Sequence, residues 1–335
     1  MLTIAAYGIR AILEGGLSLL PGGVRLFHKG TRGSDSARYC YSVWLRHLVK
    51  TQPFNDMGGS CPGTVVELGP GDSLGTGLAA LLCGAERYVA VDAVEHACAE
   101  RNLRILEALT ELFSIGASIP DQQEFPEVKP LLDDYAFPAF VPRTLEPERC
   151  RAIEAAFRGR LDEKSLVTYV RPNEARQALS PGSVDLIFSQ AVLEHVDDLR
   201  TLYRNCSAWL RPGGLMSHQI DFKSHGTSHE WNGHWVYPDA VWRLIRGNRP
   251  YLLNREPCST HLRLLTENGF QIVLEERSRV PSRLQRGQLA TRFREMSDQD
   301  LITAGVYVVG RKVKPETRFV ERSQRGSSCV GLSGF

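Results

Sequence analysis

Residues 65–77 read Val-Val-Glu-Leu-Gly-Pro-Gly-Asp-Ser-Leu-Gly-Thr-Gly. An apolar run closes on Glu67, and Gly69 and Gly71 follow almost at once. Glycine lets a backbone turn sharply and lets a ligand lie against it. A helix starting just after such a turn offers unpaired amides to a carboxylate or phosphate. Glu67 has the opposite character, an acceptor for an ammonium or for hydroxyls. A second apolar run, 87–91, leads to Asp92, where an acid can grip both hydroxyls of a ribose. Together these features suit a nucleoside with an amino-acid tail. The third glycine, Gly75, sits one position beyond the G-x-G-x-x-G dinucleotide spacing. Taken alone, the glycines also fit a tight strand-to-helix turn with no ligand.

The elements that must hold these residues read as an α/β chain. Residues 1–62 form a mainly helical preamble, in which Tyr41, Val43, Trp44, Leu45 and Leu48 follow a helical apolar pattern. Short apolar runs then recur at 64–68, 87–93, 165–170, 184–189, 215–222, 271–280 and 301–312. The first two flank the glycine turn and a helix, so they form a βαβ unit with a parallel sheet and right-handed crossover. The main domain is expected over 63–311. Two intervals exceed an ordinary connection and read as insertions, about 95–165 and 223–258. The stretch 312–335 is polar, basic and Gly/Ser-rich, and reads as a disordered tail.

Bulk properties narrow the function classes. A length of 335 residues fits one large domain with insertions, or two modest ones. A net charge of +2 gives no electrostatic footprint for nucleic acid, and no basic, aromatic-interleaved stretch appears. Eight cysteines are scattered without a CxxC pair, which reads as reduced thiols in a cytoplasmic protein. The apolar opening, 1–23, is interrupted by Arg10 and Glu14 and falls short of the roughly 20 apolar residues a spanning helix needs. It is expected to pack as an amphipathic helix, with contact to a membrane surface as the alternative.

The glycine segment resembles motif I of class I S-adenosylmethionine-dependent methyltransferases. Residues 184–196, Val-Asp-Leu-Ile-Phe-Ser-Gln-Ala-Val-Leu-Glu-His-Val, resemble their fourth strand and the segment after it. Residues 209–216, Trp-Leu-Arg-Pro-Gly-Gly-Leu-Met, resemble the turn before their fifth strand. The resemblance covers about residues 63–222 and extends through 264–273. It implies a Rossmann-like, seven-stranded mixed sheet with the last strand antiparallel, and S-adenosyl-L-methionine at the carboxyl ends of the strands. By position it implies that Glu67, Gly69 and Gly71 face the methionine part, Asp92 the ribose and Ala93 the adenine, with Asp72 of the same turn also at the cofactor. Asn173 or Glu174 stands where the family often keeps an acid near the adenine amine. Ser189 and Gln190 stand where the fourth strand opens towards the methyl group. The second insertion also resembles methyltransferases of bacterial surface polysaccharides or sugars. The expected acceptor is therefore a small or glycan-type hydroxylated molecule, with a lipid or quinone, or a non-catalytic cofactor-binding module, as alternatives.

Transfer to a hydroxyl is an in-line displacement that needs alignment and removal of a proton. The second insertion supplies His225, His229 and His234, preceded by His218 and Asp221. Strand alternation puts His218 and Ile220 on one face and Gln219 and Asp221 on the other, with Asp221 at the strand tip. Three readings stay open: one of His225, His229 and His234 is a base or acceptor clamp; they tie the loop together; or, with Asp221, they hold a metal, although no tight ligand spacing is present. His195 either lines the site or starts a helix. Trp231, Trp235, Tyr237, Trp242 and Tyr251 either stack on a ring-shaped acceptor or pack the insertion on the sheet. Arg243, Arg246, Arg249 and Arg255 either recognise an anion or form a solvated face. The first insertion is expected to close over the acceptor.

Overall fold

A computed structural model describes residues 2–23, 33–56, 61–93, 98–143, 145–158, 166–249 and 252–314. Within them seven strands form one sheet: β1 Thr64–Leu68, β2 Arg87–Val91, β3 Val167–Val170, β4 Val184–Gln190, β5 Leu210–Asp221, β6 Phe270–Arg279 and β7 Thr303–Lys312. Their order across the sheet is β3-β2-β1-β4-β5-β7-β6. The first five pair in parallel, and β7 runs antiparallel to both β5 and β6. This is the mixed, Rossmann-like sheet that the resemblance implied, with its last strand reversed.

The central strands are continuous apolar runs because both of their faces are covered. Val65, Leu186 and Phe188 face one core, and Val66 and Ile187 face the other. The first face is covered by α2 Ala37–Thr51, α3 Gly75–Leu82, α4 Ala99–Ser114 and α5 Pro147–Arg158, through residues such as Trp44, Leu78, Leu109 and Ile153. The second is covered by α6 Ala175–Ala178, α7 Leu199–Trp209 and α9 Cys258–Glu267, through Ala175, Tyr203 and Leu265. Between α7 and α9 in sequence lies α8, Asp239–Arg246.

The preamble divides in two. The helix α2 is part of the main core. The helix α1, Leu2–Ser18, instead lies on α8, and so closely that a Cβ at Gly15 would meet the Leu244 carbonyl oxygen at 1.9 Å. That packing leaves Ile9, Leu13 and Leu17 exposed on α1 at i, i+4, i+8 spacing. Among the described residues no helix is long and apolar enough to cross a membrane.

The first insertion is clamped down. Arg46 of α2 is fully buried, and its guanidinium donates to the carbonyls of Pro120 (2.7 Å), Val128 (2.6 Å) and Pro130 (3.1 Å). Tyr41 donates to the Ala117 carbonyl and Ser42 to that of Pro120. Residues 115–143 are therefore a strap bonded to α2. The insertion expected to close over the acceptor is thus held to α2 by buried bonds along this part of its length. The strap still reaches the end of β5, where Lys223 pairs with Glu127 at 2.8 Å. Tyr251 and the tail from 315 onward lie outside the described residues.

Candidate active site

Strand order reverses between β1 and β4, which lie side by side while the chain runs outward from each. In open α/β sheets such a switch point leaves a crevice beyond the carboxyl ends of the two strands, and ligands bind there. Leu68 pairs with Ser189, so Gly69, just past β1, and Gln190, the last residue of β4, are neighbours at the strand ends.

On the β1 side, Gly69 has φ +64° and Gly71 φ +75°, both in the left-handed region that favours glycine. A Cβ at Gly69 would meet Val192 at 2.7 Å, so the turn is also packed against the chain leaving β4. Asp92, half-buried at the end of β2, accepts from the Gly71 amide at 3.4 Å. The turn and the acid are thus brought together, as the sequence suggested. Ala93 follows them and is exposed. Asn173 and Glu174 are exposed in the turn after β3, next to β2; the Glu174 carboxylate accepts from the Arg171 amide of that turn at 3.0 Å.

Glu67 differs from expectation. Its side chain is only 4% exposed and turns inward, where it accepts from the Tyr88 hydroxyl. Burial raises its pKa to about 8, and the nearby Asp92 charge adds to this, while hydrogen bonds from Tyr88, Thr76 and the Gly77 amide oppose it. Glu67 therefore meets the first turn of α3 from inside and does not face the crevice. The other amides of the turn are also taken. Asp72 N–H donates to Ser34 Oγ (2.9 Å), Leu74 N–H to Asn102 Oδ1 (2.9 Å) and Gly75 N–H to Ser73 Oγ (3.1 Å). Arg101 secures the same turn through the Asp72 carbonyl at 2.7 Å. Of the free amides expected at this helix start, those of Leu74, Gly75 and Gly77 are satisfied by the protein. Ser34, Arg101 and Asn102 escaped the sequence reading because each is remote in the chain and lies in no motif.

On the β4 side, the two residues expected near the methyl group part company. Ser189 is fully buried and its hydroxyl meets His218 Nδ1 at 2.8 Å, so it offers the crevice only backbone. Gln190 projects from the opposite face and its Oε1 lies 3.1 Å from His47 Nε2 of α2.

At the end of β5 the structure separates the histidines. His225 Nε2 lies 3.4 Å from Asp221 Oδ2, and its ring sits 5.2 Å from that of His195, centroid to centroid. Burial pushes Asp221 upward, but the His225 hydrogen bond, the Lys223 amide and the charges of Lys223 and His225 together bring it below its ordinary value. His234 is a core residue, 1% exposed against Trp235, and burial lowers its pKa to about 3. His229 is half-exposed beside Glu230 at 3.6 Å. Only His225 of the three meets Asp221, and the i, i+4 spacing was the signal. Next to this pair Glu194 is buried at 2% exposure, and burial raises its pKa well above the ordinary range. Among the described residues no group of three or more His, Cys, Asp or Glu side chains could hold a metal ion.

Several of the described aromatics and arginines of the second insertion are engaged in packing and ion pairs. Trp235 and Trp242 are buried, and Arg255, 3% exposed, lies over Trp242 at 4.8 Å and Phe293 at 5.1 Å. Arg249, 4% exposed, reaches Glu14 of α1 at 3.1 Å. Arg246 pairs with Asp197 at 2.7 Å.

Residues 145–217 match the family model described as a methyltransferase domain. That span runs from α5 into β5 and includes Gln190, His195 and the whole of β4. Among solved structures, the chain is similar to an S-adenosylmethionine-dependent methyltransferase from Mesorhizobium loti, with 15% identity, a TM-score of 0.41 and coverage of 81% of this chain and 98% of that one. It is also similar to a methyltransferase of the same dependence from Methanosarcina mazei, with 10% identity, a TM-score of 0.41 and coverage of 79% and 97%. No curated protein sequence matches. The strand order and the family match together support S-adenosylmethionine-dependent methyltransferase chemistry, with S-adenosylmethionine as cofactor.

The residues present fit that cofactor at its nucleoside end. A half-buried carboxylate, Asp92, stands against the glycine turn, with the exposed Ala93 beside it. At the amino-acid end the fit relies on backbone at Gly69 and on Gln190, since Glu67 and the α3 amides are engaged elsewhere.

Proposed function

We propose that this chain transfers a methyl group from S-adenosylmethionine to a hydroxyl of a small or glycan-type acceptor. The observation that carries the reading is the meeting of the Gly71 amide with Asp92 at the ends of β1 and β2, beside the switch point and three strands from the Asp221–His225 pair. From β2 to β5 is three strand spacings, about 14 Å. A nucleoside lying across β1 and β4 would span most of that distance and bring its reactive end towards β5.

When bound, the cofactor supplies an electrophilic methyl group on a sulfonium. The chain's own residues then have three tasks. Asp92 holds the ribose hydroxyls through charge-assisted hydrogen bonds. Gly69 lets the ligand lie on the backbone, which fixes distance and line of approach. Asp221, kept ionised, accepts from His225 Nε2–H, which leaves His225 Nδ1 as the atom to take the acceptor's proton. A lipid or quinone acceptor is the second reading, favoured by the exposed Ile9, Leu13 and Leu17.

Calorimetry with S-adenosylmethionine, S-adenosylhomocysteine and NAD tests the cofactor. Incubation of the labelled cofactor with a panel of sugars, glycans and hydroxylated metabolites tests the acceptor. Binding of both sulfur nucleosides with label transfer to a hydroxylated compound is expected. Binding of NAD alone would overturn the methyltransferase reading; cofactor binding without any transfer would favour a non-catalytic module.

A further inference from the structure

A chain of buried hydrogen bonds runs under α2 from strand β7 to the crevice. Tyr307 OH lies 2.7 Å from Ser217 Oγ, which lies 2.7 Å from His47 Nδ1; His47 Nε2 lies 3.1 Å from Gln190 Oε1. Tyr307, Ser217 and His47 are all 2% exposed or less. They come from β7, β5 and α2, so nothing local in sequence brings them together.

The direction of the chain follows from donor counting. A buried hydroxyl hydrogen left without an acceptor is costly. Tyr307 has one hydrogen and one neighbour that can accept it, Ser217. Ser217 then donates to His47 Nδ1, and the neutral imidazole carries its single proton on Nε2. That proton can go only to an acceptor, so the carboxamide of Gln190 presents Oε1 to His47. Reversing every bond would leave the buried Tyr307 hydroxyl with nothing to donate to. Burial keeps His47 in the neutral form this requires, lowering its pKa to about 4.

With Oε1 fixed, the N–H pair of Gln190 is fixed too. Among the described residues nothing accepts from it, and Gln190 is half-buried beside Gly69 at the crevice. Three amides of the glycine turn, those of Asp72, Leu74 and Gly75, are committed to Ser34, Asn102 and Ser73. An anionic ligand end arriving between β1 and β4 therefore finds few of these amides open to it, and Gln190 Nε2 is placed to donate.

We propose that His47 is a positioning residue that orients the Gln190 carboxamide so that its N–H donates to the carboxylate of the cofactor's amino-acid end. The inference rests on the cofactor reading above. It assigns to helix α2 a role in cofactor recognition as well as in core packing.

The test compares two nucleosides by calorimetry on the full chain: S-adenosylhomocysteine, which has the carboxylate, and 5′-methylthioadenosine, which lacks it. Gln190→Ala and His47→Phe are expected to weaken S-adenosylhomocysteine roughly 10-fold, the scale of one hydrogen bond to a charged group. Neither should alter binding of 5′-methylthioadenosine. His47→Gln, whose amide N–H falls where Nε2–H was, should restore most of the lost affinity. Equal weakening of both nucleosides would mean a merely structural role and overturn the proposal, as would unchanged affinity for both. Failure of the unaltered protein to bind either nucleoside would overturn the cofactor reading itself, and this inference with it.

Discussion

Replacing Glu67 with glutamine separates two roles for the acid that closes β1. If it grips a ligand's ammonium it must be ionised near neutrality; buried against Tyr88, it is protonated there. Its pKa is raised to about 8 from an ordinary 4.5. For a raised pKa, the stabilising contribution is complete below 4.5 and is lost as pH climbs through 8. Each pKa unit corresponds to about 1.4 kcal/mol, so at pH 6 the carboxyl contributes on the order of 3 kcal/mol, and by pH 9 almost nothing. Glutamine is neutral throughout and removes that dependence. Whatever the amide gains or loses against Thr76 and Gly77 is the same at both pH values and drops out of the comparison. Urea unfolding of both proteins at pH 6 and pH 9 should show the unaltered chain losing roughly 3 kcal/mol more than Glu67→Gln, a large share of the 5–15 kcal/mol typical of a domain. If the two proteins lose stability in parallel, within about 0.5 kcal/mol, the inward, protonated Glu67 is wrong and a ligand-facing carboxylate returns.

Asp92→Ala should weaken S-adenosylhomocysteine about 10- to 100-fold through loss of charge-assisted bonds, read by calorimetry; unchanged affinity would remove the ribose assignment. His225→Ala should lower turnover roughly 100-fold or more while leaving cofactor affinity intact, whereas His234→Ala should lower the unfolding midpoint. Retention of full turnover by His225→Ala would place the base elsewhere. Gly77→Ala would set a Cβ 2.0 Å from the Tyr88 ring, so thermal melting should show a loss of about 3 kcal/mol; a neutral result would mean α3 can lift off β2 freely.

Much of the scaffold was legible because of how it is buried. Strands β1, β2 and β4 are covered on both faces, so each reads as an uninterrupted apolar run between turn residues. Strand β5 is less regular: it begins at Leu210, before the Pro-Gly-Gly turn, and its pairing with β4 shifts between Val184 and Leu186. The site was legible where contacts are local. Asp221 and His225 sit four residues apart, and Asp92 follows the strand beside the glycine turn. It was not legible where partners are distant. Glu67 turns inward because Tyr88 waits 21 residues away, and His47 looks like any polar residue of an apolar helix until Gln190, 143 positions later, meets it. His234 reads as a base until Trp235 and the surrounding core strip its water and with it its basicity.

The most direct measurement is a crystal structure of the chain grown with S-adenosylhomocysteine. The account predicts the nucleoside across the ends of β1 and β4, its ribose hydroxyls on Asp92, its adenine against Ala93 and its sulfur turned towards β5. Density for the nucleoside at any other place on the molecule, or a ribose that leaves Asp92 untouched, would contradict it.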